Sequence, residues 1–479
     1  MPDRRRTPFD HLIDEGSFEV ASDSLGSTDP LTFPDYGAAL EASRAASSSD
    51  ESVSAGAARI GGHDVEIAGF DFSFLGGSMG EVAGERIARS IERAVERGVP
   101  FVMRAASGGA RMQEGMRSLI QMPKLVAARA ELSEAHLPYV AVLGDPSTGG
   151  VLASLGALGD MTVAETGATV GFAGPRVVET VTGAHPSSAS HTASSALGNG
   201  MLDAVVRVDE VGTVLTGLLD VLAADEPEDV TAPAKVEGED IDPWRAVEAA
   251  RSEARPTGPD LARAMASQAF VLRGDRAGAD DVALYAVVCR IRGRRMLVMA
   301  MDRTLAPRPA AFRKAKRCLA LAARLELPVV TLVDTKGADP SEMSEAGGIA
   351  WEIASLFEAM LAAPVPIVAC VTGEGGSGGA LAFATGDALL IFDHAVFSVI
   401  GPEAAAAILW RDAERAPDAA RALKLTSREL ERLGIADAVL PEPVGGASLA
   451  DAVAYHLDRI EDGPDLVARR RKRWRNLGS

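Results

Sequence analysis

The sequence predicts an α/β protein in which one fold is built twice in tandem. Three observations carry that expectation. A Pro-led apolar run, a glycine-rich turn and a helix-like segment occur once in each half. The first copy is Leu137-Pro-Tyr-Val-Ala-Val-Leu-Gly-Asp-Pro-Ser-Thr-Gly-Gly150, leading into 151–160; the second is Val365-Pro-Ile-Val-Ala-Cys-Val-Thr-Gly-Glu-Gly-Gly-Ser-Gly-Gly379, leading into 380–387. An earlier pair matches as well, Gly98-Val-Pro-Phe-Val-Met-Arg-Ala-Ala-Ser-Gly-Gly-Ala110 against Glu326-Leu-Pro-Val-Val-Thr-Leu-Val-Asp-Thr-Lys-Gly-Ala338. The spacing agrees: 38 residues separate Pro100 from Pro138, and 38 separate Pro328 from Pro366. Self-similarity at matched spacing marks one structural unit used twice. The strand-like runs are apolar almost throughout rather than alternating, which suits sheets covered on both faces.

Taken in order, residues 1–60 read as a polar N-terminal extension. It contains a short helix at Asp10-His-Leu-Ile-Asp-Glu-Gly16, ended by its glycine, and a serine-rich loop over 42–52. A first α/β domain is expected over 61–225, with helices at 83–97 and 116–133 and strands at Phe101-Val-Met103 and Tyr139-Val-Ala-Val-Leu143. From Asp225 to Pro243 the chain is acidic and proline-containing, so 226–258 reads as an exposed linker with a helix near Trp244 to Glu253. The second domain is expected over 259–479. Its end, Arg469-Arg-Arg-Lys-Arg-Trp-Arg475, is basic; it reads as a solvated helix end, with contact to a phosphate or an acidic partner as the sharper alternative.

Bulk properties narrow the function. The chain has 479 residues, 47 % of them hydrophobic, enough for substantial cores. Lysine and arginine number 48 against 67 aspartate and glutamate, a net charge of −19, which disfavours nucleic-acid binding because polyanions need a basic footprint. Cys289, Cys318 and Cys370 form no C-x-x-C pair, so no zinc site or disulfide framework is suggested. The seven histidines, His11, His63, His136, His185, His191, His394 and His456, show no metal-ligand spacing and read as structural. The N-terminus has basic residues with no apolar run behind them, and no segment reaches the ~18 uncharged residues of a membrane span. A soluble cytoplasmic protein without metal is expected.

A glycine turn after a buried strand leaves backbone N–H groups pointing outward at the start of the next helix. Three chemistries fit. Gly373-Glu-Gly-Gly-Ser-Gly378 formally matches the phosphate-cradling G-x-G-x-x-G, with no G-K-[ST] following. Gly375-Gly-Ser-Gly-Gly379 satisfies the nucleophile-elbow pattern G-x-S-x-G, with Ser377 as nucleophile and only His394 and His456 downstream. The matching turn Pro146-Ser-Thr-Gly-Gly150 keeps the glycine pair and loses the motif, so the duplication retains backbone rather than serine. The third chemistry is an oxyanion hole of paired amides, each donor worth roughly 3–4 kcal/mol in a preorganised site. Two copies would hold two oxyanions, one from each partner of a group transfer. The bland alternative is that these glycines only allow tight strand–helix packing.

At this point motifs resemble a known family. Phe72-Ser-Phe-Leu-Gly-Gly-Ser-Met-Gly80, Ser107-Gly-Gly-Ala-Arg-Met-Gln-Glu-Gly115, Asp145-Pro-Ser-Thr-Gly-Gly150 and Gly171-Phe-Ala-Gly-Pro-Arg-Val177 resemble the β subunit of bacterial acetyl-CoA carboxylase carboxyltransferase. Gly274-Asp-Arg276, Gly373-Glu-Gly-Gly-Ser-Gly-Gly-Ala380, Phe397-Ser-Val-Ile-Gly-Pro-Glu403, Ile408-Leu-Trp-Arg-Asp412 and Ala422-Leu-Lys-Leu-Thr426 resemble the α subunit. The resemblance covers roughly residues 8–450 and implies a β-like half fused to an α-like half, each a crotonase-fold (ClpP/crotonase-like) spiral of β-β-α units.

The implied reaction moves a carboxyl group from N1-carboxybiotin, borne on a separate carrier protein, to the α-carbon of an acyl-CoA; acetyl-CoA would give malonyl-CoA. Carboxybiotin would release CO₂ and leave a biotin enolate that takes the α-proton, after which the CoA enolate attacks CO₂. By the same resemblance, amides of Gly149 and Gly150 serve the thioester oxyanion and those of Gly378 and Gly379 serve biotin. Ser107, Gly108, Gly109, Ala110 and Arg111, with Phe172, Ala173 and Gly174, line the CoA side, and Gly375 and Gly376 belong to the second site. Implied partners are biotin carboxylase and biotin carboxyl carrier protein, since the chain has no ATP-grasp signature and no Met-Lys-Met biotinylation site. The family's assembly implies a homo-oligomer, at least a dimer with a hexamer as the larger form.

Three departures stand out. The four-cysteine zinc ribbon of many β subunits is absent. The family's Asp-Thr-Pro-Gly-Ala-Tyr reads Asp334-Thr-Lys-Gly-Ala-Asp339, with 340–348 also divergent, and Met301-Asp-Arg-Thr-Leu305 replaces the usual Lys-Gly near residue 300. Competing readings are a biotin-independent crotonase-fold decarboxylase acting on malonyl-type thioesters, and a noncatalytic paralogue within the complex.

Overall fold

The structure, a computed structural model, describes residues 7–21, 23–47, 49–237, 240–442 and 445–477. The first six residues and Ser22 of the expected extension, Ser48 of its serine-rich loop, Gly238 and Glu239 of the expected linker and residues 443, 444, 478 and 479 lie outside the described residues. The chain divides into two compact units, Met1–Asp220 with Arg276–Ala279, and Val221–Asp275 with Asp280–Ser479.

In the first unit, Glu19–Val20 (β1), Val53–Ile60 (β2), His63–Phe70 (β3), Phe101–Ser107 (β4), Tyr139–Thr148 (β5), Met161–Glu165 (β6), Val170–Gly171 (β7) and Ala204–Val206 (β8) form one sheet. Their order is β1-β2-β3-β4-β5-β6-β8, with β7 beside the end of β5. The first three strands are antiparallel neighbours, and every pairing from β3 onward is parallel. Parallel pairing requires crossover helices that cover the sheet, which is why Phe101, Val102, Met103, Tyr139, Val140 and Ala141 are fully buried. Helix Glu81–Arg97 shows how the sequence builds a crossover: Ala83, Ile87, Ile91 and Ala94 recur at helical spacing and join the core. The helix stops at Gly98, whose φ of 64° lets its N–H reach the Ala94 and Val95 carbonyls.

The second unit repeats this plan. Gln268–Leu272 (β9), Leu284–Ile291 (β10), Arg294–Met301 (β11), Val329–Thr335 (β12), Ile367–Gly376 (β13), Ala388–Phe392 (β14), Val396–Ser398 (β15) and Ala438–Leu440 (β16) run in the order β16-β14-β13-β12-β11-β10-β9, with β15 beside β13. Strand for strand the two sheets match. The register even slips at equivalent points, between Ala105 and Ser107 in one unit and between Val333 and Thr335 in the other.

Several expectations change. Segment 10–16 is a series of turns, not a helix. The Asp14 carboxylate accepts the N–H groups of Gly61 and Gly62 at 2.9 and 2.8 Å, and the Asp14 N–H donates to the Arg59 carbonyl at 2.7 Å, so its polar groups serve the β2–β3 turn. The serine-rich stretch begins as helix, Tyr36–Ser47, with Tyr36 and Leu40 buried against Phe74. Residues before 61 are no appendage, because they supply β1 and β2. The expected linker is mostly exposed and without regular structure over 226–237, but it is pinned at its start: the Glu226 and Glu228 N–H groups bond to the carbonyls of Gly293 and Arg292, each at 3.0 Å. Helix Pro243–Ala250, capped by Asp242, then buries Ala246, Val247 and Ala250 against Val396, Ala420 and Leu425. The basic tail is helix Leu466–Asn476, with Arg469, Arg471, Lys472 and Arg475 exposed as expected of a solvated helix end, but one arginine turned inward. Arg470 is fully buried, pairing with Asp387 at 2.6 Å and donating to the carbonyls of Met360, Ala363 and Val365. No helix among the described residues is long and apolar enough to cross a membrane.

Candidate active site

Each unit carries the same backbone device where its two central strands end. In the first, Ser107 closes β4. Its buried hydroxyl donates to the Gly77 carbonyl at 2.5 Å and accepts the Gly109 N–H at 3.0 Å. The Gly108 N–H goes to Gly76, the Met79 N–H to Gly109, and the Arg111 N–H to Met79. The Ala110 N–H, between them, has no partner among the described residues. Gly109 takes the left-handed region at φ 115°, and a Cβ there would lie 3.5 Å from the Gly150 nitrogen, which places this loop against the helix that follows β5. That helix, Gly149–Ser154, opens with Gly149 at φ 63° and receives no side-chain cap from Thr148. The first N–H groups of a helix have no intrahelical acceptor, and the Gly150 amide finds none elsewhere among the described residues.

The second unit reproduces this. Thr335 ends β12, and its hydroxyl accepts the Gly337 N–H at 3.2 Å and donates to the Gly337 carbonyl at 3.0 Å. Gly337 sits at φ 142°, and the Asp339 N–H goes to Pro307, leaving the Ala338 amide without a partner among the described residues. Helix Ser377–Ala384 follows β13, with Ser377 at φ 62° and the amides of Gly378 and Gly379 without a partner among the described residues. A Cβ on Gly379 would lie 3.0 Å from the Ala338 nitrogen, and one on Gly376 would lie 2.0 Å from the Lys336 carbonyl oxygen.

Strand register settles the correspondence: Ser147 and Thr148 pair with Val170 and Gly171, as Gly375 and Gly376 pair with Phe397 and Ser398. Gly149 therefore matches Ser377, both left-handed, and Gly150 matches Gly378. This corrects the expected donor set. The Gly149 N–H is already given to the Phe172 carbonyl at 2.8 Å and cannot serve a ligand. The loop that packs on Gly150 through Gly109 carries the other amide without a partner among the described residues, that of Ala110; its counterpart Ala338 was missed, although the repeat Ser107-Gly-Gly-Ala110 and Thr335-Lys-Gly-Ala338 signalled it. Arg111 cannot line a CoA site with its side chain: it is fully buried among Glu51, Glu114, Tyr36, Ser27, Ser52 and Ser78. Ser107 is equally buried, and Gly375 and Gly376 are glycine because Phe397 and the Lys336 backbone press on them. Phe172 is 71 % exposed beside the first loop. Ser377 has the backbone of a nucleophile elbow, but His394 bonds to Glu442 at 3.2 Å and no bond joins Ser377 to a histidine among the described residues. Asp334, behind the second loop, accepts the Glu374 N–H at 3.0 Å; burial pushes its carboxyl up to about 6 against that hydrogen bond.

Two such sheets in tandem are the architecture of proteins with two crotonase-like domains. Among solved structures the chain matches a transcarboxylase 12S hexamer core with hydrolysed methylmalonyl-coenzyme A bound, at a TM-score of 0.77 and 23 % identity over 95 % of this chain and 90 % of that one. Residues 228–462 match the model of the acetyl co-enzyme A carboxylase carboxyltransferase-like family. Acetyl-coenzyme A carboxylase carboxyl transferase subunits beta/alpha of Salinispora arenicola is 43 % identical over 98 % of this chain and 89 % of its own length. A probable biotin-dependent acyl-coenzyme A carboxylase beta3 subunit of Mycobacterium bovis is 37 % identical over 98 % of this chain and 97 % of its own. The chain belongs to the acetyl-CoA carboxylase carboxyltransferase family, with β-like and α-like parts in one polypeptide.

Proposed function

We propose that this chain is the carboxyltransferase component of a biotin-dependent acyl-CoA carboxylase, with acetyl-CoA or another short acyl-CoA as acceptor. The observation that carries the reading is the matched pair of unfilled amides, Ala110 with Gly150 and Ala338 with Gly378. Two neutral N–H groups with no acceptor of their own fit an oxygen that gains negative charge, and their fixed geometry avoids reorganisation during the reaction. Carboxybiotin, carried on a partner protein, supplies the carboxyl group. In this reading Ala110 and Gly150 hold the thioester oxygen, while Ala338 and Gly378, with Gly379 beside them, hold the ureido oxygen of biotin. The backbone of Gly108 and Gly109 and the exposed Phe172, Ala173 and Gly174 flank the CoA side. No side-chain base is assigned. Biotin carboxylase and a biotin carboxyl carrier protein complete the cycle, and the working form is a homo-oligomer.

The test is the reverse reaction, malonyl-CoA-dependent carboxylation of free biotin. Saturable turnover is expected; none at any concentration would overturn the proposal. Release of CO₂ from malonyl-CoA in the absence of biotin would point instead to a decarboxylase.

A further inference from the structure

The second glycine loop has an arginine brace with no counterpart at the matching positions of the first, where the Asp145 carboxylate instead accepts the Thr169 N–H at 2.8 Å. Arg251 follows helix Pro243–Ala250, in the stretch whose composition suggests an exposed linker. Its Nε donates to Glu374 at 2.7 Å and one terminal nitrogen donates to the same carboxylate at 2.6 Å; the guanidinium also donates to Glu403 at 2.5 and 3.3 Å. Glu374 lies in β13 three residues before Ser377, and its own N–H is held by Asp334. Glu403 sits in the first turn of helix Pro402–Trp410, directly after the turn that leaves β15. β13 and β15 pair at Glu374–Val396, Gly375–Phe397 and Gly376–Ser398, so one guanidinium grips both chain segments that frame Gly378.

The duplication supplies an internal control. By the same register, Glu374 matches Pro146 and Glu403 matches Arg176, so the first loop has no acidic pair for an arginine to bridge. A planar, two-sided donor suits two carboxylates in a way a lysine cannot, because bidentate bonds fix orientation as well as distance. Glu374 is only 7 % exposed, which makes the pairing geometrically restrictive.

We infer that Arg251 is a positioning residue for the second amide site, setting the geometry of Ala338, Gly378 and Gly379 through Glu374 and Glu403. This rests on the carboxyltransferase reading, with biotin at that site. Arg251 touches no reacting atom, so its loss should be felt by one ligand only.

Arg251→Met in the full-length chain, assayed in malonyl-CoA-dependent biotin carboxylation, tests it. The expected result is a rise of about tenfold or more in the KM for biotin, with the KM for malonyl-CoA changed by less than about twofold, since ångström-scale misplacement costs on the order of a hundredfold. Arg251→Lys should recover only part of the loss. In a Glu374→Gln/Glu403→Gln background, adding Arg251→Met should change little, because the partners through which it acts are gone. If Arg251→Met does not fold, Glu403→Gln, at a more exposed residue, should shift the biotin KM in the same direction by a smaller factor. Unchanged KM values, or equal rises for both ligands, would overturn the inference while leaving the carboxyltransferase reading intact. Absence of biotin-dependent turnover in the unsubstituted chain would remove that reading and this inference with it.

Discussion

Gly378 separates chemistry from folding at a single position. A Cβ built there meets nothing within 4 Å, and the backbone is not left-handed. Gly378→Val should therefore leave the thermal midpoint nearly unchanged while a side chain fills the approach to the amide. The expected loss in kcat is about 10²–10³-fold, the size of one oxyanion donor; a wild-type rate would mean this amide does not face the ligand. Ser377 makes the opposite point. It bears a left-handed φ where its counterpart is glycine, so Ser377→Gly should stabilise the chain by about 0.5–1 kcal/mol in denaturant titrations. Asp334 gives a pH signature. Burial raises its folded pKa above the unfolded value of 3.8, so the folded chain holds the proton longer and stability from this group is lost as pH rises from 3.8 through about 6. Asp334→Asn should thus be more stable than wild type above pH 6, by about 3 kcal/mol, and converge with it below pH 4. Chemical denaturation of both at pH 4 and 8 checks this, and a pH-independent difference would exclude Asp334 as the titrating group.

At the scale of elements, buried arginines tie loops and helices to the sheets. Arg111 anchors the loop that carries Ala110, through Glu51 and Glu114, while Glu114 also accepts the Glu81 N–H that opens the first crossover helix. Arg111→Met leaves two buried carboxylates without their cation and should cost about 3–5 kcal/mol in equilibrium unfolding. Arg470 does the same for the C-terminal helix. These pairings were invisible in the sequence, because Glu51 and Arg111 are 60 positions apart and nothing local announces their contact. Crossover helices and central strands were legible, since their periodicity is local. Segment 10–16 and residues 42–47 were misread for the complementary reason: their state depends on distant partners, the β2–β3 turn and Phe74.

The whole molecule is two copies of one sheet, and the copies have diverged in side chains more than in backbone. Division of labour follows if each amide pair serves its own ligand. Gly378→Val should retain malonyl-CoA affinity in calorimetry, whereas Gly150→Ala should weaken it, with the added burden of a Cβ 3.0 Å from the Met122 sulfur. Equal effects on both ligands would contradict two separate holes. Spacing and composition alone established the duplication and the glycine turns, because apolar runs and turn residues are written locally in the chain; the family was legible only as a resemblance of particular motifs. Which amides stay unfilled was left to the folded chain. An N–H is free or taken according to the carbonyl that lies opposite, and the carbonyl that claims Gly149 belongs to Phe172, brought beside it only when β7 pairs with β5.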